Sequence, residues 1–198
     1  KKNSITAAMY RMIADALSDG EKDEDVRVIV ICGKPDIFTA GNDLQDFLNT
    51  STQGDFADRP VVHFMKNLSA CSKPVIAAVA GAAIGIGTTL LLHCDMIYAA
   101  DNARFSMPFA QLGLCPEFAS SLLLPRLIGF PRAAEKLLLG EPFSASEAFA
   151  MGLVNKVLPV SELFAYAYAQ AAKLVNLPAS SLRVTKALMK GLYLDEVQ

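Results

Sequence analysis

The pattern of apolar and polar residues predicts helices that alternate with buried strands. Short apolar or β-branched runs predict strands over residues 26–32, 75–79, 95–99, 105–107 and 154–158. Apolar residues at helical spacing predict helices over residues 5–18, 61–70, 116–127, 132–139, 145–151, 161–176 and 179–190. This alternation is typical of an α/β fold with a largely parallel sheet.

Several predicted helices begin or end at residues that favour a helix terminus. Ser4 is interpreted as the N-cap of the first helix and Asp19-Gly20 as its end. Pro116 is expected in the first turn of its helix, and Ser144 with Glu147 fits a capping box. The intervening segments are predicted as a short loop (residues 38–41), one or two helical turns (43–49) and a mobile polar loop (50–59).

The stretch from Pro74 to Leu92 has no charged residue and is long enough to cross a bilayer. We favour a buried strand followed by a short buried helix. Three glycines, Gly81, Gly85 and Gly87, interrupt the apolar run and argue against a single continuous helix. We therefore predict no membrane span.

The composition narrows the class of protein. The 198 residues carry a net charge of -2 without any basic run, so nucleic acid is a poor candidate partner. Only two histidines are present, and no two of the four cysteines form a C-x-x-C pair, so we expect no metal site. We interpret Cys32, Cys71, Cys94 and Cys115 as reduced core residues of an intracellular protein.

The first candidate for chemistry is the stretch Phe38-Thr39-Ala40-Gly41-Asn42-Asp43-Leu44. Gly41 permits a tight turn with exposed backbone, and Asp43 can cap a following helix, which would leave the Asn42 N–H free for a ligand. An ordinary loop before a capped helix explains the same residues, so both interpretations stay open.

The second candidate is Gly81-Ala82-Ala83-Ile84-Gly85-Ile86-Gly87, between a predicted strand and a predicted helix. The N–H groups of Ile86 and Gly87 would lie at the helix N-terminus, which favours negative charge. A dinucleotide site is excluded because Leu90 replaces the third glycine of its fingerprint, and a phosphate-binding loop is excluded because no lysine follows. Donors from this loop and the first could together form an oxyanion hole.

The third candidate is Cys115-Pro116-Glu117-Phe118. Glu117 stands among apolar and small residues, and a desolvated carboxylate has a raised pKa that suits a general base. A glutamate near a helix start also has a purely structural explanation through the helix dipole. The residues alone do not decide between these roles.

Together, these segments resemble the enoyl-CoA hydratase/isomerase (crotonase) family. Residues 38–44 resemble its first oxyanion motif, residues 73–95 its second, and residues 144–154 a later Ser-Ala-Ser-Glu-Ala to Gly-Leu-Val segment. The resemblance covers essentially the whole chain and implies the crotonase spiral of repeated ββα units with a helical C-terminal region. We expect one domain, with its core in residues 1–140 and its helical region in residues 141–198. The family's first strand would precede this sequence, and further helices would follow it.

The resemblance also implies roles for individual residues. The oxyanion donors would be the backbone N–H groups of Asn42 and Ile86, and Glu117 would be the catalytic base. Contacts with the acyl-CoA substrate would come from Ala40, Gly41, Asp43, Leu44, Gly85, Phe109 and Leu114. No cofactor is implied beyond the coenzyme A that forms part of the substrate.

The isomerase branch of the family fits best. Hydratases of this family use two glutamates, where this chain has Thr89 and Phe109. The resemblance then implies a Δ3,Δ2-enoyl-CoA isomerase of fatty acid β-oxidation. It also implies a homotrimer or dimer of trimers, cytoplasmic in a bacterium and peroxisomal or mitochondrial in a eukaryote.

Two alternatives stay open. A hydratase could use other acids, for which Asp43, Asp46 and Glu135 are candidates. A non-catalytic acyl-CoA-binding protein would retain the binding motifs but not depend on Glu117. A serine peptidase is disfavoured because the chain has no G-x-S-x-G motif.

Overall fold

The computed structural model describes residues 2–43, 46 and 55–191. The strands are β1 (Ile29–Cys32), β2 (Ile37–Thr39), β3 (Val75–Val79), β4 (Ala82–Ile84), β5 (Met96–Ala100), β6 (Arg104–Ser106), β7 (Phe143–Ser144) and β8 (Lys156–Leu158). The α-helices are α1 (Ala7–Lys22), α2 (Pro60–Ala70), α3 (Ile86–Thr89), α4 (Ser120–Ile128), α5 (Phe130–Ala134), α6 (Ala145–Ala150), α7 (Val160–Val175) and α8 (Ala179–Lys190). Short 3₁₀ turns cover Phe56–Asp58, Leu90–His93 and Ala110–Leu112, and a π-helical turn covers Glu135–Leu139.

The strands form two four-stranded sheets, in the orders β1-β3-β5-β8 and β2-β4-β6-β7. The first three pairs of consecutive strands are each divided between the two sheets, so the chain passes from one sheet to the other as it advances. The pairings within the sheets are parallel except for β6 with β7. This arrangement confirms the predicted α/β fold with largely parallel sheets.

Strand β3 is buried on both faces, which explains its uninterrupted apolar sequence. Val75, Ala77 and Val79 belong to the main core cluster together with residues of α1, α2 and the second sheet. The alternate residues Ile76 and Ala78 pack in a second cluster with residues of α7. Because alternate side chains of a strand point to opposite faces, this one short apolar run contributes to two cores.

The predicted bounds of β3 and α8 are confirmed, as is the capping box formed by Ser144 and Glu147. The cap of α1 was predicted wrongly: Thr6 accepts a hydrogen bond from the Met9 N–H, and the helix continues to Lys22. The expected loop over residues 38–41 begins inside strand β2, and the glycine-rich segment contains strand β4. The predicted helical turns at 43–49 and mobile loop at 50–59 lie mostly outside the described residues.

The cysteine prediction was partly wrong. Cys71 is buried, but Cys32 and Cys115 are exposed, and all four thiols are free. Cys32 ends β1, which is the edge strand of its sheet, so one side of this position has no neighbouring strand. Cys115 precedes Glu117 in an exposed connecting segment.

The charge-free stretch from Pro74 to Leu92 is divided among β3, β4, α3 and a 3₁₀ turn. Within the described ranges, no helix combines the length and apolar character that crossing a membrane requires.

Candidate active site

A cavity of about 530 Å³ lies where four segments of the chain meet, within residues 40–43, 84–86, 108–117 and 2–4. Nine of the residues predicted for the site line it: Ala40, Gly41, Asn42, Asp43, Gly85, Ile86, Phe109, Leu114 and Glu117. The tenth, Leu44, lies outside the described residues. Segments that are distant in sequence thus contribute to one site.

The first segment follows β2 and is shaped by Gly41. Its φ of 84° lies in the left-handed region, which glycine adopts without the steric cost of a Cβ. A Cβ at this position would also lie 2.7 Å from the carbonyl oxygen of Ile84, at the end of β4. Gly41 therefore allows the first segment to pack directly against the second.

A parallel bridge between Ile5 and Asn42 orients the next peptide groups. The Ile5 N–H donates to the Gly41 carbonyl at 2.8 Å, and the Asp43 N–H donates to the Ile5 carbonyl at 3.0 Å. Since successive peptide groups of an extended segment point to opposite sides, the Asn42 N–H points away from Ile5. Among the described residues it has no acceptor, and Asn42 lines the cavity.

The second segment links β4 to α3 through Gly85, which has a φ of 57°. The Gly85 N–H donates to the Ser106 carbonyl at 2.9 Å, and its own carbonyl accepts from the N–H groups of Thr88 and Thr89. Ile86 is the first residue of α3, so its N–H has no acceptor within the helix. This donor has the character that an oxyanion hole requires.

Glu117 was expected in the first turn of a helix, and this was wrong. Helix α4 begins at Ser120, and Pro116 and Glu117 precede it. Phe118 and Ala119 both adopt left-handed conformations, with φ of 53° and 52°. Because the helix dipole acts mainly within the first turn, the structural explanation for Glu117 loses its basis.

The Glu117 side chain is half-buried and lines the cavity. Burial raises its pKa from 4.5 to about 7, because an ionised carboxylate is poorly solvated among apolar groups. A carboxyl with such a pKa can both accept and return a proton near neutral pH.

A second cavity of about 400 Å³ shares Asn42, Asp43 and Glu117 with the first. The remainder of its wall consists of Ile5, Ala7, Tyr10, Asp46, Arg59, Pro60, Val61, Val62, Met65, Pro116 and Phe118. Most of these side chains are apolar. Glu117 therefore lies where two mainly apolar cavities meet.

Tyr10 is a site residue that the sequence did not reveal. Its hydroxyl donates a hydrogen bond to Oδ1 of Asn42, and its ring lines the second cavity. Burial, and secondarily the charge of Glu117, raise the pKa of Tyr10 far above its usual value. In sequence, Tyr10 is one apolar position of an amphipathic helix, which gives no sign of this contact.

The two positions where the family resemblance places the glutamates of hydratases, 89 and 109, hold no acid. Thr89 is 0% exposed, and no described residue forms a hydrogen bond with its hydroxyl. Phe109 is also buried and lines the larger cavity. Neither side chain can exchange a proton with a substrate.

Of the three acids considered for a hydratase, two line the second cavity and one lies elsewhere. Asp43 lines both cavities and accepts a hydrogen bond from the Ser4 hydroxyl at 3.0 Å. Asp46 lines only the second cavity and accepts from the Ala7 N–H. Glu135 lines neither cavity and lies 2.8 Å from Lys136. Within the described parts of the chain, no three His, Cys, Asp or Glu residues are grouped to hold a metal ion.

Comparison with known proteins agrees with this geometry. The family model described as enoyl-CoA hydratase/isomerase matches residues 1–198. The chain belongs to the enoyl-CoA hydratase/isomerase family.

Relatives within the family carry different names. The chain is 38% identical over 196 residues to rat enoyl-CoA delta isomerase 2, covering 96% of this chain and 49% of that protein. It is 33% identical over 199 residues to a Bacillus subtilis protein with an enoyl-CoA hydratase name, covering 98% of this chain and 76% of that protein. The chain thus spans about half the length of the rat relative.

Solved structures share the whole described architecture. An enoyl-CoA hydratase/isomerase from Pseudoalteromonas atlantica T6c superposes with a TM-score of 0.95 at 40% identity. The match covers 100% of this chain and 78% of that one. The crotonase fold predicted from the sequence is confirmed.

Proposed function

We propose that this protein is a Δ3,Δ2-enoyl-CoA isomerase, which converts a 3-enoyl-CoA to a trans-2-enoyl-CoA. The observation that carries the proposal is a half-buried carboxyl with a raised pKa, Glu117, in a cavity also lined by Asn42 and Ile86. A hydratase of this family needs two carboxylates to activate water, and Thr89 and Phe109 occupy their positions. One base is sufficient for a proton shift.

The reaction is a 1,3-proton shift. The carboxylate of Glu117 removes a proton from C2 of the substrate, and the electron pair delocalises over C2, C3, C4 and the thioester carbonyl. The N–H groups of Asn42 and Ile86 stabilise the negative charge on the thioester oxygen of this dienolate. The protonated carboxyl then returns the proton to C4, which leaves the double bond between C2 and C3.

The raised pKa of Glu117 supports this role. A group that removes and then donates the same proton works best when its pKa lies near the working pH. Burial supplies that pKa of about 7 without a second charged residue. The apolar surroundings also limit access of water, which would otherwise protonate the dienolate.

The two cavities suggest how the substrate lies. Both reach Glu117, so the reacting carbons would lie at their junction, with the acyl chain in the second cavity beside Val61 and Met65. The coenzyme A portion would follow the larger cavity past Ala40 and Gly41. A place in fatty acid β-oxidation, a homotrimeric or hexameric assembly and the predicted compartments belong to the same proposal.

An assay of 3-enoyl-CoA isomerisation, run beside an assay of 2-enoyl-CoA hydration, tests the proposal. Glu117→Gln should lower the isomerisation rate by at least about a thousandfold, because it removes the proposed base. Glu135→Gln is the matched control, because it neutralises an acid outside both cavities and should retain the parent rate.

Three results would contradict the proposal. Equal isomerisation by the parent and Glu117→Gln would exclude Glu117 as the base. Efficient hydration with little isomerisation would indicate a hydratase. Binding of acyl-CoA without turnover in either assay would indicate a binding protein.

A further inference from the structure

The turn after Glu117 holds two consecutive residues in the left-handed region, and neither is glycine. Left-handed backbone costs an ordinary L-residue roughly 1–2 kcal/mol because its Cβ approaches the carbonyl oxygen. Phe118 and Ala119 have no local side-chain hydrogen bond that favours this conformation, unlike asparagine or aspartate. Contacts from other parts of the chain must therefore support the turn.

His93 provides such a contact. Its Nε2 lies 2.9 Å from the Phe118 carbonyl oxygen, and its ring stacks on the Phe118 ring with centroids 3.7 Å apart and an interplanar angle of 17°. A carbonyl oxygen can only accept, so Nε2 carries the hydrogen. The side chain is 3% exposed, and burial lowers the pKa of His93 to about 4. The imidazole is therefore neutral near pH 7, with one fixed donor.

We propose that His93 is a positioning residue, which holds the left-handed turn at Phe118 and thereby directs the Glu117 carboxyl into the cavity. His93 lines neither cavity, so it does not touch the substrate. The predicted effect of His93 on turnover rests on the proposed isomerase function. Its predicted effect on the pKa of Glu117 does not depend on that function.

The position of His93 in the fold connects the two halves of the site. His93 ends the 3₁₀ turn that directly follows α3, and α3 begins with Ile86, the second oxyanion donor. One short continuous segment thus supplies the donor and supports the base. A shift of this segment would move both groups together.

Other groups complete the surroundings of the turn. From α8, Lys190 Nζ lies 3.3 Å from the His93 carbonyl and is the nearby charge acting on the imidazole. From α2, the Phe64 ring meets the Phe118 ring edge-on at 5.9 Å. From α1, Tyr10 lies near Glu117, whose charge contributes after burial to the raised pKa of the tyrosine. None of these residues donates to the Phe118 carbonyl in the described structure, so His93 has no substitute there.

Two substitutions separate the hydrogen bond from the packing. His93→Phe keeps an aromatic ring for the stack and removes the donor. His93→Gln restores an N–H donor at the same distance along the side chain. Asn155→Leu is the matched control, since it removes another side-chain contact with backbone, the 2.7 Å bond from the Ile97 N–H, outside both cavities.

The first readout is titration of carboxyl-¹³C-labelled glutamate by NMR, with the Glu117 signal assigned by its loss in Glu117→Gln. In the parent, Glu117 should titrate near 7. In His93→Phe its pKa should fall by about one unit or more, because a released carboxyl reaches water. His93→Gln and Asn155→Leu should retain the parent value. An unchanged Glu117 pKa in folded His93→Phe would overturn the proposal.

The second readout is turnover. His93→Phe should lower kcat by about 10- to 100-fold with KM within about twofold, because a displaced base slows the proton transfer without weakening binding. His93→Gln should restore most of the loss, and failure of this rescue would contradict the role of the hydrogen bond. If the parent has no isomerase activity, the proposed function fails, while the titration still tests His93.

A third measurement needs no variant. The imidazole ¹⁵N shifts of the parent should identify a neutral His93 with its proton on Nε2. A proton on Nδ1 would show that the hydrogen bond to Phe118 is absent and would overturn the proposal even if His93→Phe fails to fold.

Discussion

Left-handed backbone shapes both sides of the cavity, but different residues adopt it. On the oxyanion side, Gly41 and Gly85 take φ values of 84° and 57°. On the side of the base, Phe118 and Ala119 take φ values of 53° and 52°. Glycine adopts this conformation at little cost, whereas a residue with a Cβ needs support from elsewhere in the fold. The oxyanion side is thus determined mainly by local sequence and the base side by tertiary contacts.

Of the effects that compare these two sides, the largest is expected on the oxyanion side. Gly41→Ala adds a Cβ 2.7 Å from the Ile84 carbonyl oxygen in a segment that already needs a positive φ. The segment must move, and the Asn42 N–H moves with it. We expect isomerisation to fall by about a hundredfold to a thousandfold, the cost of losing one oxyanion donor.

Gly152→Ala is the control for that substitution. Gly152 has a φ of 83°, but a Cβ there would meet nothing within 4 Å. Both variants carry the same backbone strain of roughly 1–2 kcal/mol, so urea unfolding should show a loss of stability in each. Only Gly41→Ala should lose activity. An equal loss of activity in both variants would mean that backbone strain alone, rather than the contact with Ile84, accounts for the effect.

This difference also explains what could be predicted from the sequence. The two segments proposed to supply the oxyanion donors were singled out because glycines mark them, and β3 was predicted because both of its faces are apolar. Strands β2 and β4 were missed because each is only three residues long and lies beside glycines that indicated a loop: Gly41 follows β2, and Gly81 and Gly85 flank β4. Even so, the described residues around them that were predicted for the site line one cavity.

The base side was predicted less well. Pro116 suggested a helix start, yet the turn depends on His93, which is 25 positions from Phe118 in sequence. A contact at that separation leaves no local pattern. The second cavity was missed for a related reason, since Tyr10 and Met65 occupy helix faces that resemble ordinary core.

The next expected effect is a loss of folding stability, caused by the burial of Glu117. The pKa of Glu117 is about 7 in the folded protein and 4.5 in its unperturbed form. Between these values the folded state binds more protons than the unfolded state, so stability falls as pH rises. At about 1.4 kcal/mol per pKa unit, we expect Glu117 to lower the stability by roughly 1–3 kcal/mol between pH 4.5 and pH 7.

Urea unfolding of the parent and Glu117→Gln, from pH 4.5 to pH 8, isolates this contribution. Hydrogen bonds lower the pKa values of Glu21 and Glu147, which gives the opposite trend in both proteins and cancels in the difference. Glu117→Gln should gain stability relative to the parent as pH rises, while the isomerisation rate of the parent rises through pH 7. If the difference in free energy of unfolding between the two proteins does not change with pH, the folded protein does not raise the pKa of this carboxyl.

The smallest expected effect compares two serines with the same local contact. Ser120 Oγ donates to the Glu117 carbonyl at 2.6 Å, and Ser69 Oγ donates to the Lys66 carbonyl at 3.1 Å, each three residues back. Replacing either buried serine with alanine should lower the free energy of unfolding by about 1 kcal/mol, the net value of one hydrogen bond.

Only Ser120→Ala loosens the turn that carries the base. The Ser120 N–H still donates to the same carbonyl at 3.0 Å, so we expect the rate to fall by less than about tenfold. Ser69→Ala should turn over at the parent rate, and a comparable slowing of both variants would place the effect in general stability rather than in the turn at Glu117.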